Sequence, residues 1–169
     1  SGRSAADVRL GLVFTALTKD GWTPPDPSIA VGPTHVVTTV NQSVGWFTKD
    51  GVQQFEARLN FAGDPGFFED VGALGFTFDP KCFYDHIAQR FVVLALEVYG
   101  RDTSEEDDDE AAITFAISDD DDPNGVWFKY RTNAVIEIGS STYWWDYPGL
   151  GYDDQAIYVT SNLFGLDNG

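Results

Sequence analysis

Short apolar runs, some continuous and some alternating with polar residues, are separated along the whole chain by Gly, Pro, Asn and Asp. That is the pattern of many brief strands joined by tight turns. Residues 28–31, 35–41 and 44–48 read as three successive strands, with Gly32-Pro33-Thr34 as the first turn. Asp50-Gly51 marks a hairpin, and 52–59 alternates imperfectly, as an exposed outer strand would. The plan then repeats. Residues 76–84 supply an inner strand, 85–89 a turn, 90–99 a long apolar second strand, 112–118 a third, 119–125 a turn and 126–132 an outer strand. A third copy begins at Trp145 and runs to Phe164, without the last two strands. Residues 10–18 read as a further buried strand, and 1–8 as a frayed polar end. The connections are 60–75 and 133–142, and Phe61, Phe67 and Phe68 of the first are expected to pack over the end of a unit.

An aspartate-led phrase opens each copy. Asp26-Pro27-Ser28 leads into 35–41, Asp79-Pro80-Lys81 into 90–96, and Asp146-Tyr147-Pro148 into 156–162. One supersecondary unit is therefore reused, because a single copy cannot bury its own apolar face. For all-β sequence the expected architecture is a β-propeller of antiparallel four-stranded meander blades, with about two and a half blades present. The blade-like units are 22–60, 73–133 and an incomplete 143–169, within one propeller segment spanning 1–169, and 101–110 forms an acidic insertion. A closed ring needs roughly twice this length. The expectation is a fragment, a processed piece, or an assembly that borrows strands, with open sheet edges available for self-association.

Asp26, Asp79 and Asp146 each begin an inner strand, so a radial body would point them toward its axis near one rim. Carboxylates and nearby carbonyls there suit calcium, which takes 6–8 oxygens, and these three are the candidate metal ligands. The competing reading has each Asp capping its own turn. Trp144, Trp145 and Tyr147 form an aromatic patch able to stack a sugar ring, although aromatics between blades more often hold neighbours together. Asp85, Asp153 and Asp154 read as turn residues.

No catalytic or cofactor-binding residue is assigned. The chain has no P-loop, no G-x-G-x-x-G and no G-x-S-x-G, and His35 and His86 lack zinc-ligand spacing. Arg58, Arg90, Arg101 and Arg131 do not recur at an inner-strand position, where a sialidase would need them. The single cysteine, Cys82, reads as a small buried hydrophobe. Asn41-Gln42-Ser43 is a formal glycosylation sequon, which suggests an exposed turn.

The net charge of −17 opposes nucleic acid and anionic membrane surfaces, and favours divalent cations, a saline medium or a basic partner. Asp102, Glu105 to Glu110 and Asp119 to Asp122 concentrate that charge. The first run reads as a solvated insertion. No apolar run approaches a membrane span. The opening Ser-Gly-Arg-Ser-Ala-Ala has no charged-then-apolar leader, so a targeting peptide was removed or never present.

The turn from Ser118 to Trp127 resembles the Asp-box hairpin of sialidase-type propellers, although its Gly125-Val126-Trp127 departs from the usual Gly-x-Thr-Trp. Together with Pro24-Pro25-Asp26, Val31-Gly32-Pro33-Thr34-His35, Asp79-Pro80, Arg90-Phe91 and Asp146 to Gly151, it makes residues 22–165 resemble a group of secreted bacterial β-propeller proteins of sialidase-like appearance. The resemblance implies fold more than activity. The expectation is a secreted or cell-surface, non-catalytic segment for adhesion, scaffolding or assembly, stabilised by calcium and meeting a protein or glycan partner. The alternatives are a fragment of a glycan hydrolase, or a self-assembling subunit that completes its sheets with strands from another copy.

Overall fold

The structure, a computed structural model, describes residues 11–18, 21–61, 65–73, 76–99 and 110–166. Within them the chain is all-β, in three antiparallel sheets. The first sheet is a meander of β1 (Ser28–Val31), β2 (His35–Val40), β3 (Ser43–Thr48) and β4 (Gln53–Arg58). The second repeats it with β5 (Thr77–Asp85), β6 (Arg90–Tyr99), β7 (Glu110–Ser118) and β8 (Trp127–Asn133). The third contains β9 (Ile136–Ile138), β10 (Ser141–Tyr152) and β11 (Ile157–Gly165), in the order β11-β10-β9. β10 and β11 match β5 and β6. The extra strand β9 lies within the connection 133–142 and pairs with the other edge of β10.

The sheets stack because the second is apolar on both faces. Along β6, Phe91, Val93 and Ala95 join Val37, Trp46 and Leu59 in a core shared with the first sheet. Leu94 and Leu96 face the other way, into a core with Trp144, Ala134 and Leu166. Successive side chains on a strand point to opposite faces, so one continuous apolar run fills two interfaces. The outer strand β8 behaves differently: Phe128, Tyr130 and Thr132 are exposed while Trp127, Lys129 and Arg131 are half-buried. Burial therefore falls at the outer strand of the second sheet, and the inner strands come together, with β5 packed against both β1 and β10.

Two hairpins show how the turns are made. Val40 pairs with Ser43 across a two-residue turn in which Gln42 takes φ 77°. At Asp50-Gly51 only the glycine is left-handed, at φ 84°, and the loop is closed by the Gly51 N–H donating to Thr48 O at 2.9 Å. Phe67 and Phe68 are buried in the first core, so that part of the 60–75 connection packs as expected, while Phe61 stays exposed beside Phe76.

Residues 11–18 differ from expectation: they form no strand. The segment lies irregularly over the outer face of the first sheet, Phe14 meeting Phe47 at 5.7 Å. Gly45 makes room for it, since a Cβ there would stand 2.9 Å from Leu17. The expected frayed end at 1–8 and the acidic insertion, apart from Glu110, lie outside the described residues.

Candidate functional site

The β5 ladder shifts between Phe78 and Lys81, and the β10 ladder between Asp146 and Gly149. Each shift contains a residue followed by proline, which has no N–H to give the ladder. Lys81 pairs with Leu94 and Gly149 with Thr160, while Ser28 pairs with Thr39, so Asp26, Asp79 and Tyr147 occupy one structural position. Their φ angles agree, at 41°, 47° and 51°. Asp tolerates the left-handed region; Tyr does not, and its presence there is strained. Asp146 is one place earlier, matching Phe78 and Pro25. The three aspartates are not equivalents.

The left-handed turn aims the backbone N–H of Asp79 and of Tyr147 at the preceding sheet, where a side chain receives it. Asp79 N–H donates to Asn41 Oδ1 at 2.8 Å, and Tyr147 N–H donates to Asp79 Oδ2 at 3.0 Å. The first bond fixes the orientation of the Asn41 amide, so its Nδ2 must face the carboxylates. It donates to Asp26 Oδ2 at 3.0 Å, to Asp79 Oδ1 at 3.3 Å and to Pro24 O at 3.0 Å. Asn41 is 1% exposed. Side chains thus tie sheet one to sheet two and sheet two to sheet three. Burial, then the charge of Asp79, push the Asp26 carboxyl above its ordinary value, against a smaller opposing pull from Lys81.

Beside this tie lies a cleft of about 420 Å³. Asp26, Asp79 and Asp146 line it with Trp22, Phe76, Phe78, Trp144 and Tyr147. Trp22 and Tyr147 are 43% and 56% exposed, whereas Trp144 is buried and meets Phe78 edge-on at 5.9 Å. Five of the six residues singled out in the sequence therefore share one concavity. Trp145 does not line it. It is half-buried against the second core, with its indole N–H enclosed and no acceptor among the described residues.

Among the described residues, no three His, Cys, Asp or Glu side chains converge to hold a metal ion. Between Asp26 and Asp79 the Asn41 NH2 stands where a cation would have to sit. The sequon reading is overturned for the same reason: the Asn41 amide is buried and bonded, not displayed for modification.

The remaining candidates serve turns and cores. Asp85 Oδ1 accepts from Ile87 and Ala88 N–H, and Asp153 Oδ1 from Gln155 and Ala156 N–H. In the turn from Ser118 to Trp127, Asp119 Oδ1 accepts the Val126 N–H at 3.0 Å, and the Trp127 indole donates to Pro123 O at 2.9 Å. That turn docks on the first sheet, where Trp46 Nε1 donates to Asn124 Oδ1 at 2.9 Å. Cys82 is buried beside Ser28, and burial pushes its thiol up to about 11.

The sequence reading missed Trp22, Phe76 and Phe78, and the tie that Asn41 makes. Asn41 was read as a strand end and as the first residue of a sequon. The aromatics gave no signal, because they enter the cleft from a connection and from strand starts. Comparison with family models, curated proteins and solved structures finds no match.

Proposed function

We propose that the chain is a non-catalytic β-propeller segment, working outside the cell or on its surface in adhesion or scaffolding, with the aromatic-walled cleft as its ligand-binding face. One observation carries this reading: three sheets with side-by-side inner strands bring their equivalent pre-proline positions to a single concavity. Meander sheets packed face to face with inner strands adjacent are what propeller blades look like. Strained backbone at Tyr147 is retained where a site requires it. Both Asp79 oxygens are engaged by Asn41 and Tyr147, which suits a supporting role better than proton transfer. Aromatic rings of 43% and 56% exposure offer stacking surface to a glycan or an aromatic side chain.

The test is binding of the whole chain to a glycan array and to extracellular protein extracts, with Tyr147→Asn as the cleft variant. Asn tolerates the left-handed backbone, so the ring is lost without disturbing the fold. Capture that disappears in this variant supports the reading; capture unaffected by it removes the cleft from the function.

A second reading, a glycan hydrolase fragment, is favoured by one feature. Asp26, with its carboxyl held above the usual range beside a second carboxylate, is the kind of pairing that general-acid chemistry uses. Release of reducing sugar by the wild type, abolished in Asp26→Asn, would establish it in place of the first.

A further inference from the structure

Ladder register matches positions between the first two sheets. Thr39 pairs with Val44 and Leu94 with Phe115; continuing outward, Val44, Trp46 and Phe55 occupy the places of Phe115, Ile117 and Phe128. Each set lies on the face turned toward the next sheet. Val44 and Trp46 are 0% and 4% exposed, because Ala116 of β7 and Trp127 of β8 cover them, the Trp127 ring standing 5.6 Å from that of Trp46. Phe115 and Ile117 are only half-buried, while Phe128 and its neighbour on the same face, Tyr130, are 45% and 57% exposed. Among the described residues, the third sheet has no strand opposite β7 and β8, and nothing pairs with the outer edge of β11.

An unpaired ladder edge and an uncovered apolar face therefore meet, and together they continue the interface already formed between the second and third sheets. One strand added to β11 would lie over Phe115 and Ile117 and leave Phe128 and Tyr130 in water. Two strands match the footprint, as β7 and β8 match that of Trp46 and Phe55. We propose that β11 and the β7–β8 face form the docking surface for an amphipathic β-hairpin of a partner protein, its first strand antiparallel to β11. Main-chain bonds to the edge give it affinity, and its inward side chains give it selectivity. In the second unit Ala116 lies opposite Val93, whose place in the third sheet is Val159. The hairpin thus carries a small residue opposite Val159 and, as Trp127 does over Trp46, an aromatic residue on its second strand over Ile117. A net charge of −17 favours a basic hairpin over a second copy of the chain.

The probe is a labelled peptide with the sequence of residues 110–133, the hairpin that does this work one unit earlier, carrying Glu110→Lys and Asp121→Lys to make it less acidic. Its control adds Ala116→Lys and Trp127→Lys. Binding to the whole chain at low salt is read by fluorescence anisotropy, and its place by hydrogen exchange. The expected Kd is about 10–500 μM, weak because a free hairpin is marginally stable and orders as it docks. Binding should fall at least ~10-fold for the control peptide and for the chain with Phe128→Lys and Tyr130→Lys, two side chains exposed enough to change without loss of the fold. Saturating peptide should slow exchange across 157–165 about 5-fold or more and leave β4 unchanged. No binding, equal binding of the control, or protection of β4 in place of β11 overturns the proposal. Protection of 157–165 in the chain alone at low salt, growing with its concentration, makes a second copy the occupant and overturns it too.

Discussion

At Asp26, burial and the neighbouring Asp79 carboxylate both disfavour the ionised form, so the folded chain holds this proton more tightly than the unfolded chain does. Stability from this group is lost as pH rises from the ordinary carboxylate range through the raised value, and returns on acidification. Asp26→Asn keeps an oxygen for Asn41 and removes the charge. Its melting temperature should exceed the wild type's by about 1–4 °C at pH 7, the scale of relieving one like-charge contact, and match it near pH 3. Differential scanning calorimetry at the two pH values checks this; an equal gain at both would mean the charge is not the cause. Asp122 and Asp153 run the opposite way. Backbone N–H donors, from Asn124 and from Gln155 and Ala156 respectively, hold their carboxyls below the ordinary carboxylate value, so their contribution is present above that value and lost as pH falls through the lowered one. Cys82, with its thiol raised to about 11 by burial, should not react with a disulfide reagent at pH 8 until denaturant is added. Prompt labelling of the folded chain would contradict its burial.

At the scale of elements, one side chain ties the first two sheets and one ion pair crosses the second. Asn41 joins β2 to the start of β5, and its counterpart in the second unit is Leu96, a core residue. Asn41→Leu therefore imitates a residue the fold accepts at the equivalent place, yet it strips Asp79 N–H and two carboxylate oxygens of their partner. The expected loss is about 2–4 kcal/mol in denaturant unfolding. A loss below ~0.5 kcal/mol would show that water replaces the amide. Glu97 on β6 is 1% exposed and meets Arg131 Nε on β8 at 3.1 Å. Arg131→Ala should cost about 1.5–3 kcal/mol in denaturant unfolding, the scale of a hydrogen bond to a charged group, because it takes the guanidinium from a buried carboxylate.

For the whole molecule, the third sheet stands apart. β11 corresponds to β2 and β6, each of which has a third strand on its outer side, but among the described residues nothing pairs with that edge of β11. Tyr158, Leu163 and Phe164 on it are exposed. A free edge with apolar side chains invites another strand, while a net charge of −17 opposes a second copy. Association should therefore appear in light scattering as salt is raised and repulsion is screened, and a Lys in place of Leu163 should suppress it. A mass independent of salt and concentration would count against self-completion of the sheet.

The meander units, the long apolar second strands and the amphipathic outer strands could be read from residue order, because periodicity and turn residues act locally. β1 and β6 match the expected bounds of 28–31 and 90–99, and the turn roles of Asp85 and Asp153 followed from their own neighbours. Spacing also singled out Asp26, Asp79 and Asp146 as a set. Tertiary structure alone revealed that Tyr147, not Asp146, stands in the aspartate position, since that equivalence depends on ladder register across a bulge. It also decided that an asparagine amide lies between two carboxylates, and that residues from a connection wall the cleft. Contacts between sheets bring together groups far apart along the chain, where no local pattern records them.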